Sequence, residues 1–416
     1  MLFPVCRRLF PALALSLALG MLSTAAGAQD IAPPVPQKLA LHSNVLNEDR
    51  VVWVRTPRGY DQGKDAFPVL YLTDGPAHIN EIGSTIDFLV QNGRMPALIV
   101  VGIANTDRTR DLTPSQWDQK HPDGTVDANP TSGGADHFID FMQNELMPEI
   151  EKRYRTAHYR IFSGHSLGGL LAIHILITRP DLFQAYIAVS PSLQWDDLRT
   201  VQQARDFFAA HAELNKALFF SLANEGDTPN PMGDGFEQLQ KILTAKTPKD
   251  FRWYATRYHD EDHGSTVLRA HYAGLRTIFA DWQFPRDASN GMPTGGLAGL
   301  EKHYRELSER YGYQVPIPEN LVNNLGYVLM GMKKFDEAIT TFRRNVELYP
   351  GSANVYDSLG EGYENAGKLE LATANFQKAI EMGTKAADPN LSAYSDHLKR
   401  VTAEAKAAAE KTAGAK

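Results

Sequence analysis

The chain has 416 residues, 43% of them hydrophobic and 22% charged, and a net charge of −7 with neutral histidines. Those proportions describe a folded protein too long for one small core, and the acidic balance disfavours a nucleic-acid partner, whose phosphates need a basic surface. The only cysteine, Cys6, falls in a segment expected to be removed, which excludes disulfides, thiolate metal sites and a cysteine nucleophile from the mature protein.

Residues 1–28 have the pattern of a signal peptide. Arg7 and Arg8 precede an apolar run from Leu9 to Leu22, and Ala26-Gly27-Ala28 supplies a small-residue cleavage site. A mature start at Gln29 and a periplasmic or secreted location are expected. No later stretch is apolar for long enough to span a bilayer as a helix.

Residues 29–285 alternate short apolar strands with helical patterns. Leu39–His42 and Arg50–Val54 read as two strands joined by a short link, an antiparallel edge. Phe67–Leu72 and 97–103 are near-continuous apolar runs, as expected of strands buried on both faces, with a helix over Ile79–Gln91 between them. An amphipathic helix over Asp136–Arg153 leads to a strand ending near Phe162, and a helix apolar nearly all round follows it. Strands are then expected over Ala185–Ser190, Ala217–Ala223 and Phe251–Tyr258. Such alternation predicts an α/β domain, a mostly parallel sheet flanked by helices.

Residues 286–296 turn to Pro, Gly, Asn and Ser and read as a linker. Residues 297–390 beyond it carry a repeat. Leu325 with Leu359, Phe335 with Leu369, Ala338 with Ala372, and Phe342 with Phe376 all stand 34 residues apart, the tetratricopeptide period. Residues 391–416 are rich in Ala, Lys and Glu, a capping helix or a disordered tail.

Chemistry concentrates at Gly164-His165-Ser166-Leu167-Gly168, between a strand and the apolar helix. That tight turn lifts a serine hydroxyl clear of the sheet, where it needs a base and an orienting acid from later strand ends, in the order serine, acid, histidine. The loop after Phe251–Tyr258 contains His263 and His259, and His263 is the preferred base. The loop after Ala217–Ala223 contains Glu225 and Asp227, and Glu225 is the preferred acid. An oxyanion needs two donors. The Leu167 N–H is one, and since Pro76 has no N–H, Gly75 or Ala77 must be the other. Arg108 is a candidate for an anionic or polyphenolic substrate, with internal pairing to Asp107 or Asp111 the alternative. Trp195 is a candidate pocket wall or a core residue. No metal-ligand spacing is present, and no metal or organic cofactor is expected.

Together with Leu70–Gly75, Asn105–Arg110, Ser132–Asp136, Gly164–Gly169 and Asp260–Ser265, the chain resembles the esterase D and enterochelin (siderophore) esterase group over residues 35–285. The resemblance implies an α/β-hydrolase fold and a serine esterase, with Ser166 as nucleophile and His263 as base. It leaves the acid open, because the group includes sites closer to a Ser-His dyad. The substrates it implies are siderophore lactones, feruloyl or acetyl sugar esters and short acyl esters. The tail resembles tetratricopeptide repeats fused to similar hydrolases. Ester hydrolysis through an acyl-enzyme is therefore the leading expectation. The alternatives are an acyltransferase using the same intermediate, or a factor that binds a protein partner through its repeats and hydrolyses incidentally.

Overall fold

The computed structural model describes residues 33–120, 123–225, 230–289 and 291–414. The expected signal peptide and Asp227 lie outside them. The described chain divides into two compact units, one ending at Pro350 and the other beginning at Gly351.

The first unit starts with strands β1 (Gln37–Ser43), β2 (Glu48–Arg55) and β3 (Phe67–Leu72), helix α1 (Gly75–Gln91) and β4 (Ile99–Ile103). Next come α2 (Arg108–Leu112), a small hairpin of β5 (Gln119–Lys120) and β6 (Val126–Asp127), and α3 (Ala135–Phe141). A π turn over Met142–Leu146 joins α3 to α4 (Met147–Arg153). The expected single helix is thus continuous but widened just before Pro148, whose missing N–H breaks the regular ladder. The rest of the sheet domain is β7 (Thr156–His165), α5 (Leu167–Thr178), β8 (Ala185–Val189), α6 (Trp195–Ala210), β9 (Ala217–Leu222), α7 (Pro231–Ala245), β10 (Arg252–Arg257) and α8 (Thr266–Ile278).

Eight strands form one sheet in the order β1-β2-β4-β3-β7-β8-β9-β10. β1 and β2 form the antiparallel edge, and every pair from β4 to β10 is parallel. Alternate residues of each buried strand feed opposite faces. Val69, Tyr71, Val101 and Phe162 join a core with α3, α5 and α6, while Leu70, Leu72, Val100 and Ile161 join one with α1 and α8. Two apolar faces explain why these strands read as continuous apolar runs.

The composition change at 286–296 does not separate the two units. Helix α9 (Gly296–Tyr311) puts Leu300, Tyr304, Leu307 and Tyr311 into the same core as Ile187, Phe219 and Leu275. Tyr311 packs edge-on to Tyr159 at 5.1 Å, and its hydroxyl donates to Asp281 Oδ1 at 2.8 Å. The apolar stripe of α9 covers the sheet face that α1 and α8 leave open. The first repeat, α10 (Glu319–Gly331) and α11 (Phe335–Leu348), stays with this body. The second unit holds α12 (Ala353–Asn365), α13 (Leu369–Ala386) and α14 (Leu391–Gly414). Among the described residues no helix is long and apolar enough to cross a membrane.

Because Tyr311 is 2% exposed, Tyr311→Ala in the full chain should remove about 3–5 kcal/mol of stability, as large-to-small changes of buried aromatics do. A chemical-denaturation midpoint equal to that of the wild type would mean that α9 is not part of the core beneath the sheet.

Candidate active site

The chain leaves β3 for β4 on one side and returns to β7 on the other. Strand order reverses between β3 and β7, and in such sheets a crevice opens outside the carboxyl ends of the strands at that point. Two turns border it, Thr73-Asp74-Gly75 after β3 and His165-Ser166-Leu167 after β7.

Ser166 adopts φ 60° and ψ −116°, a conformation that costs a residue with a side chain about 1–3 kcal/mol. Surrounding hydrogen bonds hold it there. Its N–H donates to Val189 O at 2.9 Å, and its carbonyl accepts from Leu170 N at 3.0 Å and Ser192 N at 3.1 Å. The glycines on either side are required by close approach. A Cβ on Gly164 would lie 2.3 Å from the Gly168 main chain, and one on Gly168 would lie 2.3 Å from Thr73 Oγ1. The elbow and the β3 turn therefore abut.

The loops after β9 and β10 meet beside this elbow. Asn224 N–H donates to Glu261 O at 2.8 Å. Asp262 Oδ1 accepts from the N–H groups of Gly264 (2.9 Å) and Ser265 (2.7 Å), a cap that shapes the turn carrying His263 into α8. Glu225 presents both carboxylate oxygens to His263 Nδ1, each at 2.9 Å. Burial pushes the Glu225 carboxyl up, but its hydrogen bonds to His263 and Ser190 outweigh this and hold it below the usual carboxylate range. His259, the alternative base, is exposed. Ser166 Oγ lies 3.2 Å from Ser192 Oγ. Among the described residues no hydrogen bond joins it to His263, a looseness common in ligand-free sites.

Donors for an oxyanion are present at both turns. The N–H groups of Leu167 and Gly75, each the first of its helix, have no acceptor among the described residues, as helix starts require. Ala77 differs, because its N–H donates to Asp74 O at 3.0 Å. Of the two expected candidates in that turn, only Gly75 is available.

Arg108 pairs with neither Asp107 nor Asp111. Its Nε donates to Asp74 Oδ1 at 2.8 Å, and its terminal nitrogen reaches Asp74 Oδ2 at 3.1 Å and His165 O at 3.0 Å. Burial raises the Asp74 carboxyl, yet Arg108 and Asn105 outweigh it and keep the group ionised. The guanidinium thus clasps the two turns together rather than standing free for a substrate. Trp195 takes its core alternative. It is 6% exposed, donates from Nε1 to Ser115 O at 3.1 Å, and packs edge-on to Trp117 at 5.1 Å.

Three contributors carry no sign of their role in the sequence, although Asp74 and His165 stand in segments that carry the family resemblance. His165 hydrogen-bonds the His263 carbonyl from Nε2 at 2.7 Å, with the two rings 4.5 Å apart. Burial and the neighbouring His263 push His165 down to about 4, so it is neutral at pH 7 and Nε2–H is the donor. Ser192 meets the Ser166 hydroxyl, and Asp74 anchors Arg108.

Residues 43–244 match the family model described as "Putative esterase", and residues 320–352 match a tetratricopeptide repeat model. The chain is 31% identical to the ferri-bacillibactin esterase BesA of Bacillus subtilis over 221 residues, 48% of this chain and 75% of that protein. It is 30% identical to the siderophore enterobactin esterase of Emericella nidulans over 261 residues, 52% of this chain and 83% of that one. The crystal structure of an IroE-like serine hydrolase from Shewanella oneidensis superposes with a TM-score of 0.65 at 30% identity, covering 75% of this chain and 99% of that one. The elbow, the sheet and these likenesses together establish that this protein belongs to the esterase family that includes those siderophore esterases.

Proposed function

We propose that the chain is a serine esterase in which Ser166 attacks the ester carbonyl, His263 takes its proton and Glu225 holds the imidazole. The observation that carries this reading is the Glu225–His263 pair, both carboxylate oxygens at 2.9 Å from Nδ1, beside a serine held at φ 60°. With Glu225 on Nδ1, the other ring nitrogen, Nε2, is the one left to accept the serine proton and later return it to the leaving alcohol. The Ser166 hydroxyl turns from Ser192 towards His263 when substrate arrives. The N–H groups of Leu167 and Gly75 stabilise the tetrahedral oxyanion, and water then clears the acyl-enzyme.

Siderophore esters are the favoured substrates, because the relatives that support the family bear that activity in their names. Ser166→Ala should lower kcat on siderophore lactones and small aryl esters by at least ~10³-fold, and Glu225→Gln by about 10²- to 10⁴-fold. Wild-type turnover by a folded Ser166→Ala enzyme would refute the mechanism.

Export is part of the same proposal, resting on the pattern of residues 1–28. N-terminal sequencing of protein recovered outside the cytoplasm should begin at Gln29, and an intact Met1 there would count against cleavage.

The depressed His165 titration has a consequence for stability. Between pH 6.5 and about 4 the unfolded chain binds a proton at this residue and the folded one does not. Stability is therefore full above pH 6.5 and falls with acidification through that window. A variant His165→Asn, which keeps a donor, should show a shallower loss of melting temperature from pH 7 to pH 4.5 than the wild type. Parallel curves would mean that His165 is not buried neutral.

A further inference from the structure

A second Ser-His-Glu set lies beneath the proposed site. Ser163 Oγ is 3.0 Å from His271 Nε2, and His271 Nδ1 is 2.5 Å from Glu81 Oε1. A carboxylate accepts from Nδ1–H, which leaves Nε2 to accept the Ser163 hydroxyl proton. Ser163 and His271 are each 0% exposed, so this serine cannot meet a substrate. Its position is the informative part.

Ser163 is on β7, the strand that ends at Ser166. His271 is in the second turn of α8, which begins directly after the His263 turn, and Glu81 is in the second turn of α1, which begins at Gly75. The three residues therefore join the elements bearing the nucleophile, the base and the second oxyanion donor. The Ser163 carbonyl adds a fourth tie, accepting from Thr73 N at 3.2 Å in the turn that precedes Gly75. The relay borders apolar core at Leu72 and Ile187, the sheet partners of Ser163, and also meets His78, whose Nδ1 is 3.9 Å from Glu81 Oε1 and whose ring centre is 6.2 Å from that of His271. An aliphatic trio of the same volume would avoid desolvating an imidazole and a carboxylate. What it could not supply is direction. Apolar surfaces slide past one another at little cost, whereas hydrogen bonds define distance and angle.

We propose that Ser163, His271 and Glu81 are positioning residues that hold β7, α8 and α1 in register, so that the base and the oxyanion donor stay aligned on Ser166. This rests on the reading of Ser166 as nucleophile. A misalignment on the order of 1 Å at a reacting pair can cost up to about 10²-fold in rate, so loss of the relay appears in kcat rather than in substrate binding.

The test uses full-length Ser163→Ala, Glu81→Leu and the double variant, with kcat and KM on p-nitrophenyl acetate, melting temperature, and the rate at which a fluorophosphonate probe labels the protein. Glu81 is 25% exposed, so Glu81→Leu, which removes the acceptor at similar volume, is the variant expected to fold in any case. Each single variant should lower kcat and the labelling rate by roughly 5- to 50-fold with KM within about twofold. The double variant should be no slower than the slower single one, because both break the same relay. Wild-type kcat in folded variants, a changed KM at constant kcat, or losses that multiply in the double variant would overturn the proposal. Probe found by mass spectrometry on a residue other than Ser166 in the wild type would instead refute the nucleophile, and so separates the two failures.

Discussion

The site depends on how closely main chains approach at the ends of β3 and β7. The Gly164 and Gly168 backbones touch, Gly168 rests on Thr73, and a Cβ on Gly75 would lie 2.3 Å from the Gly102 main chain. Only with side chains removed at these points can the elbow stand beside the β3 turn, so that two helices begin next to each other, each with an unsatisfied first N–H. Ser166 cannot relax out of its strained backbone without withdrawing α5, whose Leu170, Leu171, Ile173, Ile175 and Leu176 are all fully buried. Each such side chain contributes about 1.5–3 kcal/mol on burial, more in sum than the strain of one residue.

Electrostatics follow from the same crowding. Three carboxylates surround the elbow, and each has a cation or an imidazole: Asp74 with Arg108, Glu225 with His263, Glu81 with His271. Between them His78 and His165 are both pushed down, chiefly by burial. A protonated His165 would place a positive charge beside His263, 4.5 Å away between ring centres, and oppose the imidazolium that the proposed attack by Ser166 requires. A neutral His165 donates one hydrogen bond to the His263 carbonyl and adds no charge. In the proposed reaction, burial thus serves the chemistry as well as the fold.

What could be read in the sequence was what is local. The glycine-serine turn, the apolar strands and the loops that end them are each contained in a few residues, so Ser166, His263 and Glu225 could be named in order. Partners joined only by the fold could not. Glu81 and His271 are 190 positions apart, and nothing in a histidine on an amphipathic helix indicates a buried serine on a distant strand. Arg108 stands near Asp107 and Asp111 in sequence yet pairs with Asp74, because α2 turns it towards the crevice while Asp107 caps that helix through Arg110 N. In the β3 turn the helix starts early enough to engage the Ala77 N–H, which leaves Gly75 as the candidate donor there.

The linker shows a subtler limit. Composition marks where regular structure stops, and among the described residues, 286–289 and 291–295 are indeed irregular before α9. It does not mark where packing stops. The stripe of Leu300, Tyr304, Leu307 and Tyr311 has the spacing of a helix that must bury one face, and the period alone does not say against what. Tyr159 on β7 and Phe279, just after α8, supply the answer. The repeat period is more robust because its determinant is a contact between two near neighbours. Gly326 leaves room for the Phe342 ring in the first unit, and Gly360 leaves room for Phe376 in the second. The same Gly-to-Phe contact can thus be recognised on both sides of Pro350, although only one of the two repeats belongs to the hydrolase body.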